Sequence, residues 1–170
     1  MDLRSANILL KYDETEKTLI PQISNFLWSK YLHSETSVYP KISVPPEEEI
    51  WKRWHDPSRL HHTRSFEYLP SSDIYSLGLL FWEIAWCKPE NLPFKKVPIR
   101  KLYDHLRNKN HERLPEIPEE YQRWERLMKN MWQYKSGDRC NIVDVESNMK
   151  KIFKKIDSIS SASSGSSGVS

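Results

Sequence analysis

Glycine is nearly absent from this chain. Only four occur in 170 residues, and since Gly165 and Gly168 stand close to the C-terminal end, the body keeps just Gly78 and Gly137. A loop that closes backbone N–H groups around phosphates needs several glycines in a short run, so any nucleotide site here is partial or absent. Cysteine is scarce as well. Cys87 and Cys140 lie far apart with no C-x-x-C spacing, which fits free thiols in a reducing compartment better than a disulfide framework or a zinc site. No apolar run is long enough to cross a bilayer, and Met1-Asp2-Leu3-Arg4 begins no signal peptide, so the expectation is a soluble cytoplasmic protein with no membrane partner. The formal net charge is only +3, with lysine and arginine scattered among aspartate and glutamate. That is a bland basic surface, and no nucleic-acid partner is expected from it.

Aromatic residues are plentiful: seven Trp, eight Tyr and five Phe. With 38% hydrophobic and 29% charged residues, the composition is that of one folded domain with an aromatic core. Asn7-Ile8-Leu9-Leu10 and Leu19-Ile20-Pro21-Gln22-Ile23 flank the polar stretch Asp13–Lys17 and predict a small hairpin. From Leu27 to His62 no helical period persists, and Pro40, Pro45, Pro46 and Pro57 punctuate a long loop. Pro70-Ser71-Ser72-Asp73 then starts a helix whose stretch Ile74–Trp86 is apolar on nearly every side, the pattern of a buried central helix. Ile99, Leu102, Tyr103 and Leu106 share one face of a next helix, and Tyr121, Trp124, Leu127, Met128 and Met131 share one face of another. Asn141 is placed to cap a last helix with Val145, Met149, Ile152, Phe153 and Ile156 inward. Residues 157–170 collapse to a Ser/Gly-rich composition and are expected to form a disordered tail.

Asp2-Leu3-Arg4-Ser5-Ala6-Asn7, followed by Ile8-Leu9-Leu10, resembles the catalytic loop of protein kinases, D-L-x-x-x-N before a short strand. Asn25-Phe26-Leu27 falls where that family has D-F-G, and Trp54-His55-Asp56-Pro57-Ser58 resembles its W-x-A-P-E. The run Ser72–Ile84 is similar to the buried central helix of the kinase C-terminal lobe, and Leu127–Trp132 with Asp138-Arg139 resembles its late L-M-x-x-C-W…R-P signature. Trp82-Glu83-Ile84 and Met131-Trp132 lean towards the tyrosine-kinase and tyrosine-kinase-like groups. The ordered set spans residues 2 to about 156. It implies a mainly α fold with a small β-hairpin near the N-terminus: residues 1–156 as a C-lobe, itself a fragment of the α+β protein-kinase fold. ATP and Mg2+ are the cofactors that the resemblance implies. Asp2 is the implied catalytic base, and Asn7 with Asn25 the implied cofactor-binding and metal-holding residues.

Departures from the pattern shape the functional expectation. The glycine-rich loop, the strand lysine and its helix glutamate have no counterpart, so only about half of a kinase domain is accounted for. The central helix is therefore expected to need the missing N-lobe, or a partner protein, to cover it. Asn25 replaces a carboxylate at the metal position, which weakens its pull on a hard cation. Leu27 replaces a hinge glycine. Ser58 replaces the glutamate whose family partner is the arginine matched by Arg139, leaving Arg139 to find Asp56 or Asp138 instead. The combination reads as a pseudokinase acting in signalling by binding other proteins. The alternative is a part of an active ATP-dependent protein serine/threonine or tyrosine kinase. Ser29, Ser34, Thr36, Ser37 and Tyr39 are either phosphorylation sites or an ordinary polar loop. His55, His61 and His62 lack the companions a metal site needs. Lys150, Lys151, Lys154 and Lys155 read as a solvated outer face ahead of a surface for an acidic partner.

Overall fold

The computed structural model of the chain describes residues 2–26, 29, 46–61, 69–88 and 91–164, with backbone alone for 46–48, 61 and 159–164. Ser34, Thr36, Ser37, Tyr39, Leu27 and His62 lie outside the described residues, as does the chain beyond 164. Asp13 starts the expected turn: its Oδ1 accepts the backbone N–H groups of Thr15 (2.8 Å) and Glu16 (3.1 Å), and Lys17 takes the left-handed conformation, φ 53°. The flanking apolar runs pair as antiparallel strands β1 (Ile8–Asp13) and β2 (Thr18–Ile23), in register from Ile8↔Ile23 to Asp13↔Thr18. Directly opposed residues share a face. One face of the hairpin is therefore apolar throughout, and Leu10, Tyr12, Leu19 and Ile23 on it are exposed.

The segment expected to lack helix is partly helical. A 3₁₀ stretch covers Pro46–Trp54 and a short helix α1 covers Pro57–His61. Each begins at a proline, and there the missing N–H costs nothing because the first turn has no intrahelical partner for it. Pro46 and Pro57, which read as interruptions, are thus starts.

Helix α2 (Pro70–Trp86) also opens on proline, with Asp73 in its first turn, and stops where Cys87 goes left-handed and caps Glu83 and Ile84. Ile74, Tyr75, Leu79 and Trp82 are buried along it, as expected of a central helix. Helix α3 (Ile99–Arg107) buries Leu102 and Leu106, and α4 (Gln122–Met131) buries Leu127, Met128 and Met131. These surfaces form two cores on either side of α2. Trp54, Tyr75, Leu79, Trp82, Phe94, Leu102, Leu106, Met128 and Trp132 make the larger one. Ile74, Leu127, Met131, Val145 and Ile152 make the smaller. Tryptophan N–H groups find acceptors at the margin: Trp82 and Trp86 both donate to the Arg113 carbonyl, at 3.0 and 3.2 Å. Gly78 lets α2 and α4 touch, since a Cβ there would stand 2.9 Å from the Met131 Cβ.

Helix α5 (Ile142–Ser164) closes the smaller core. Asn141 caps it reciprocally with Asp144: Asp144 N–H donates to Asn141 Oδ1 (3.0 Å) and Asn141 N–H to Asp144 Oδ2 (3.3 Å). Two expectations are corrected here. Phe153 is 58% exposed, not inward. It stands about 100° around the helix from Ile152, off the line of Val145, Met149, Ile152 and Ile156 that meets the core. Helix also continues beyond 156 to Ser164, through part of the expected tail. That stretch has no proline or glycine to stop it before Gly165. Among the described residues no helix is long and apolar enough to cross a membrane, and both cysteines are free thiols.

Candidate functional site

The hairpin assembles the first part of the site. Because Ile8 faces Ile23, the residues just outside the strands, Asn7 and Ser24-Asn25, are held side by side. The Asn7 carbonyl accepts both the backbone N–H (2.8 Å) and the hydroxyl (2.9 Å) of Ser24. Asn25 follows with φ 57°, a left-handed conformation that asparagine tolerates better than most residues. Its Nδ2 then reaches Asn7 Oδ1 at 3.3 Å. On the other side Asn7, in the 3₁₀ turn Ser5–Asn7, donates its Nδ2 to the Asp2 carbonyl (2.7 Å) and to Asp2 Oδ2 (2.8 Å). Arg4 Nε joins the same Oδ2 at 3.1 Å. Asp2 and Asn7 are both buried. The three residues singled out from the sequence, Asp2, Asn7 and Asn25, are therefore brought into one hydrogen-bonded chain that ends on Arg4.

The donor set of that chain fits a magnesium ion poorly. Asn7 spends both amide hydrogens on Asp2, and its oxygen accepts from Asn25. Asn25 turns its amide N–H rather than its oxygen towards its neighbour, and both groups are neutral amides where a small hard cation is best held by carboxylate. The carboxylate present, Asp2, already takes two donors on Oδ2. Among the described residues no cluster of three or more His, Cys, Asp or Glu could hold a metal.

A second assembly forms around Asp56. Arg139 Nη1 bonds Asp56 Oδ2, with both side chains fully shielded from solvent. Arg139 also donates to the carbonyls of Ser71 (2.9 Å), Tyr134 (3.1 Å) and Gln133 (2.7 Å), and its guanidinium lies 5.0 Å from the centre of the Tyr75 ring. Asp56 accepts the Ser72 hydroxyl (3.1 Å) and the Ser58 N–H (2.7 Å) as well. Burial alone would raise its carboxyl, but Arg139 and the Ser58 amide outweigh it and hold the carboxyl below its ordinary value. Of the two acceptors open to Arg139 from the sequence, Asp56 is the one used. The carboxylate that the motif would carry at Ser58 has moved two residues back. Beside it, His55 is buried with its ring 4.4 Å from that of Trp51, and burial among positive charges drives its pKa well down.

Helix α2 joins the two assemblies. Its Ser76 hydroxyl donates to the Trp54 carbonyl (2.8 Å), and its Glu83 accepts Trp54 Nε1 on Oε2 and the Ser5 hydroxyl on Oε1, each at 3.0 Å. Burial raises the Glu83 carboxyl above its usual value, against these donors. Sequence reasoning passed over Glu83 as one of the few polar residues in an apolar helix. The signal was there: Ser72, Ser76 and Glu83 are spaced four and seven apart, a single polar line on an otherwise apolar helix.

A family model described as protein tyrosine and serine/threonine kinase matches residues 1–149. Over 154 residues, 89% of this chain, the sequence is 29% identical to the mouse (Mus musculus) protein named Tyrosine-protein kinase ZAP-70. The aligned region is 22% of that relative, so the chain spans about a fifth of its length.

Proposed function

The chain belongs to the protein tyrosine and serine/threonine kinase family, and from that premise we propose that it is a C-lobe of that fold, impaired in phosphoryl transfer, acting in cytoplasmic signalling by binding other proteins. One observation supports the reading: Asn25, which the family resemblance aligns with the metal position, is a neutral amide and donates to Asn7 Oδ1 instead of offering an anionic oxygen. ATP and Mg2+ would supply the phosphoryl group and its charge neutralisation, and this loss falls on the ion's share of that work. What this chain's own residues do is hold one carboxylate. Arg4 and Asn7 fix the rotamer of Asp2, so the position of the family's base is kept while its companion is not. Meanwhile the buried pair Asp56–Arg139 keeps the segment at 54–58 docked on α2. A docked scaffold without a metal position suits binding better than chemistry.

The intact Asp2–Asn7 arrangement favours a second reading, in which the chain is part of an active ATP-dependent kinase and Asn25 still contributes to holding magnesium. Incubation with radiolabelled ATP, Mg2+ and a generic protein substrate separates the two. Under the first reading no incorporation depends on Asp2. Phosphate transfer that Asp2→Asn abolishes would overturn it and support the second.

A further inference from the structure

The weak positive charge of the chain is concentrated rather than spread. Residues 95–113 hold seven lysines and arginines against two acids, Asp104 and Glu112, a net +5 where the whole chain carries +3, so the remaining residues sum to −2. Helix α3 runs through this stretch and turns Leu102 and Leu106 into the core. Glu112 is half-buried and accepts the Phe94 N–H, which leaves Asp104 as the exposed acid of the stretch. Arg100, Asp104 and Arg107 are spaced four and three apart, so they fall within about 60° of one another around the helix, on the side away from Leu102 and Leu106. All three are exposed, as are Lys101 next to Arg100, and Lys96 and Lys109 beyond the two helix ends. Among the described residues none of these five cations stands in an ion pair. Elsewhere lysines are matched by an acid within one turn, Lys52 by Glu49, Lys129 by Glu125 and Lys150 by Glu146. The first turn of α3 holds Arg100 and Lys101 and no acid, the sign that the positive end of a helix disfavours. Unmatched cations at an unfavourable position fit a partner that brings the anions.

We propose that the exposed side of α3 from Arg100 to Arg107 docks an acidic segment of a partner protein, which sets carboxylates against Arg100 and Arg107 and a basic residue against Asp104 between them. This rests on the chain being a protein-binding domain and names the chemistry of its partner. The order of charges, plus, minus, plus along one line, selects the kind of partner. A nucleic-acid backbone repeats one negative charge and meets Asp104 with repulsion, whereas a protein segment can change sign at that point. An anionic membrane is held by apolar side chains as well as by charge, and none of the exposed large apolar residues falls within 95–113.

The test titrates the full chain into a fluorescein-labelled peptide that carries glutamates on both sides of one central lysine, and reads anisotropy at low and at raised salt. The same peptide with a central glutamate, a single-stranded oligonucleotide, and vesicles of phosphatidylcholine with phosphatidylserine accompany it. Saturable binding is expected, and salt should weaken it by screening exposed charges. Arg100→Glu with Arg107→Glu should weaken it about tenfold or more. Lys151→Glu with Lys155→Glu changes the net charge equally on α5 and should leave affinity within about twofold, because contact and not overall charge is at stake. Asp104→Lys should reverse the preference, towards the peptide with the central glutamate. All these positions are exposed, and Arg100→Gln with Arg107→Gln replaces the glutamate pair should its far-ultraviolet circular dichroism change. Four outcomes would each overturn the proposal: no saturable binding, equal loss in the two double variants, an unchanged preference in Asp104→Lys, or tighter binding of oligonucleotide or vesicles than of peptide. If Asp2-dependent phosphate transfer accompanied specific peptide binding, only the functional reading would fall. Neither transfer nor peptide binding would sink the α3 surface alone.

Discussion

Asp56 and Arg139 bury two opposite charges, and what surrounds them decides what they are worth. Arg139 has four oxygen acceptors besides the ring beneath it, so its charge is well compensated only while Asp56 is present. Removing one partner of a buried pair strands the other at a cost of about 3–5 kcal/mol. Asp56→Ala should therefore lower the denaturation midpoint sharply, and Asp56→Asn less, because the amide oxygen still accepts. Adding Ser58→Glu to Asp56→Ala restores the family's own arrangement and should recover most of the loss. Absence of any recovery would mean that position 58 does not reach Arg139. The sign of the pH effect follows from the lowered carboxyl of Asp56. Its contribution is fully present above the unfolded value of about 4 and is lost as pH falls through the lower folded value. Denaturation midpoints of the wild type and Asp56→Asn should thus differ at pH 7 and converge below pH 4.

At the scale of elements, α2 is the part on which the others depend. It forms one wall of both cores and holds the two polar assemblies through Glu83, Ser72 and Ser76. Gly78 is a point where it meets α4 closely. A methyl added there would meet the Met131 Cβ at 2.9 Å, a rigid point of α4 rather than the movable end of a side chain. Glycine to alanine in a helix interior ordinarily gains about 1 kcal/mol. Here overpacking should outweigh that gain, at about 1–3 kcal/mol. Gly78→Ala is expected to lower the thermal midpoint, and Met131→Ala should not rescue it because the obstructing Cβ remains. A thermal melt of Gly78→Ala at or above the wild-type midpoint would show that the α2–α4 contact is looser than this geometry.

For the whole molecule, Ile156 is the last of the described side chains of α5 to meet a core, and helix continues to Ser164. Single-helix extensions of serine-rich sequence bury too little to offset their ordering cost. Deleting residues 159–170 should leave the thermal midpoint of the chain unchanged, and a drop of several degrees would reveal docking of the extension on the domain. The apolar hairpin face with Leu10, Tyr12, Leu19 and Ile23 is exposed. The sequence pointed to the central helix as the surface needing cover. Among the described residues Ile84 is the exposed large apolar residue of α2, and more such residues are exposed on the hairpin.

The amino-acid sequence alone determined the order and kind of most elements, because hydrophobic period, caps and turn residues act over a few positions. The hairpin, the buried α2, the inner lines of α3 and α4 and the Asn141 cap were all legible in this way. Asp2, Asn7 and Asn25 were named together from the family resemblance, and the hairpin, whose two ends meet, brings Asn7 beside Asn25. Where the choice lay between distant groups, only the tertiary structure decided it. That Arg139 takes Asp56, 83 residues away, and not the adjacent Asp138, depends on how α2 carries Ser71, Ser72 and Tyr75 to the same point. Glu83 became a link between Ser5 and Trp54 only once both loops folded against its helix. Phe153 was misjudged because apolar character says that a residue can be buried, while the neighbouring helices determine which side of α5 has something to be buried against.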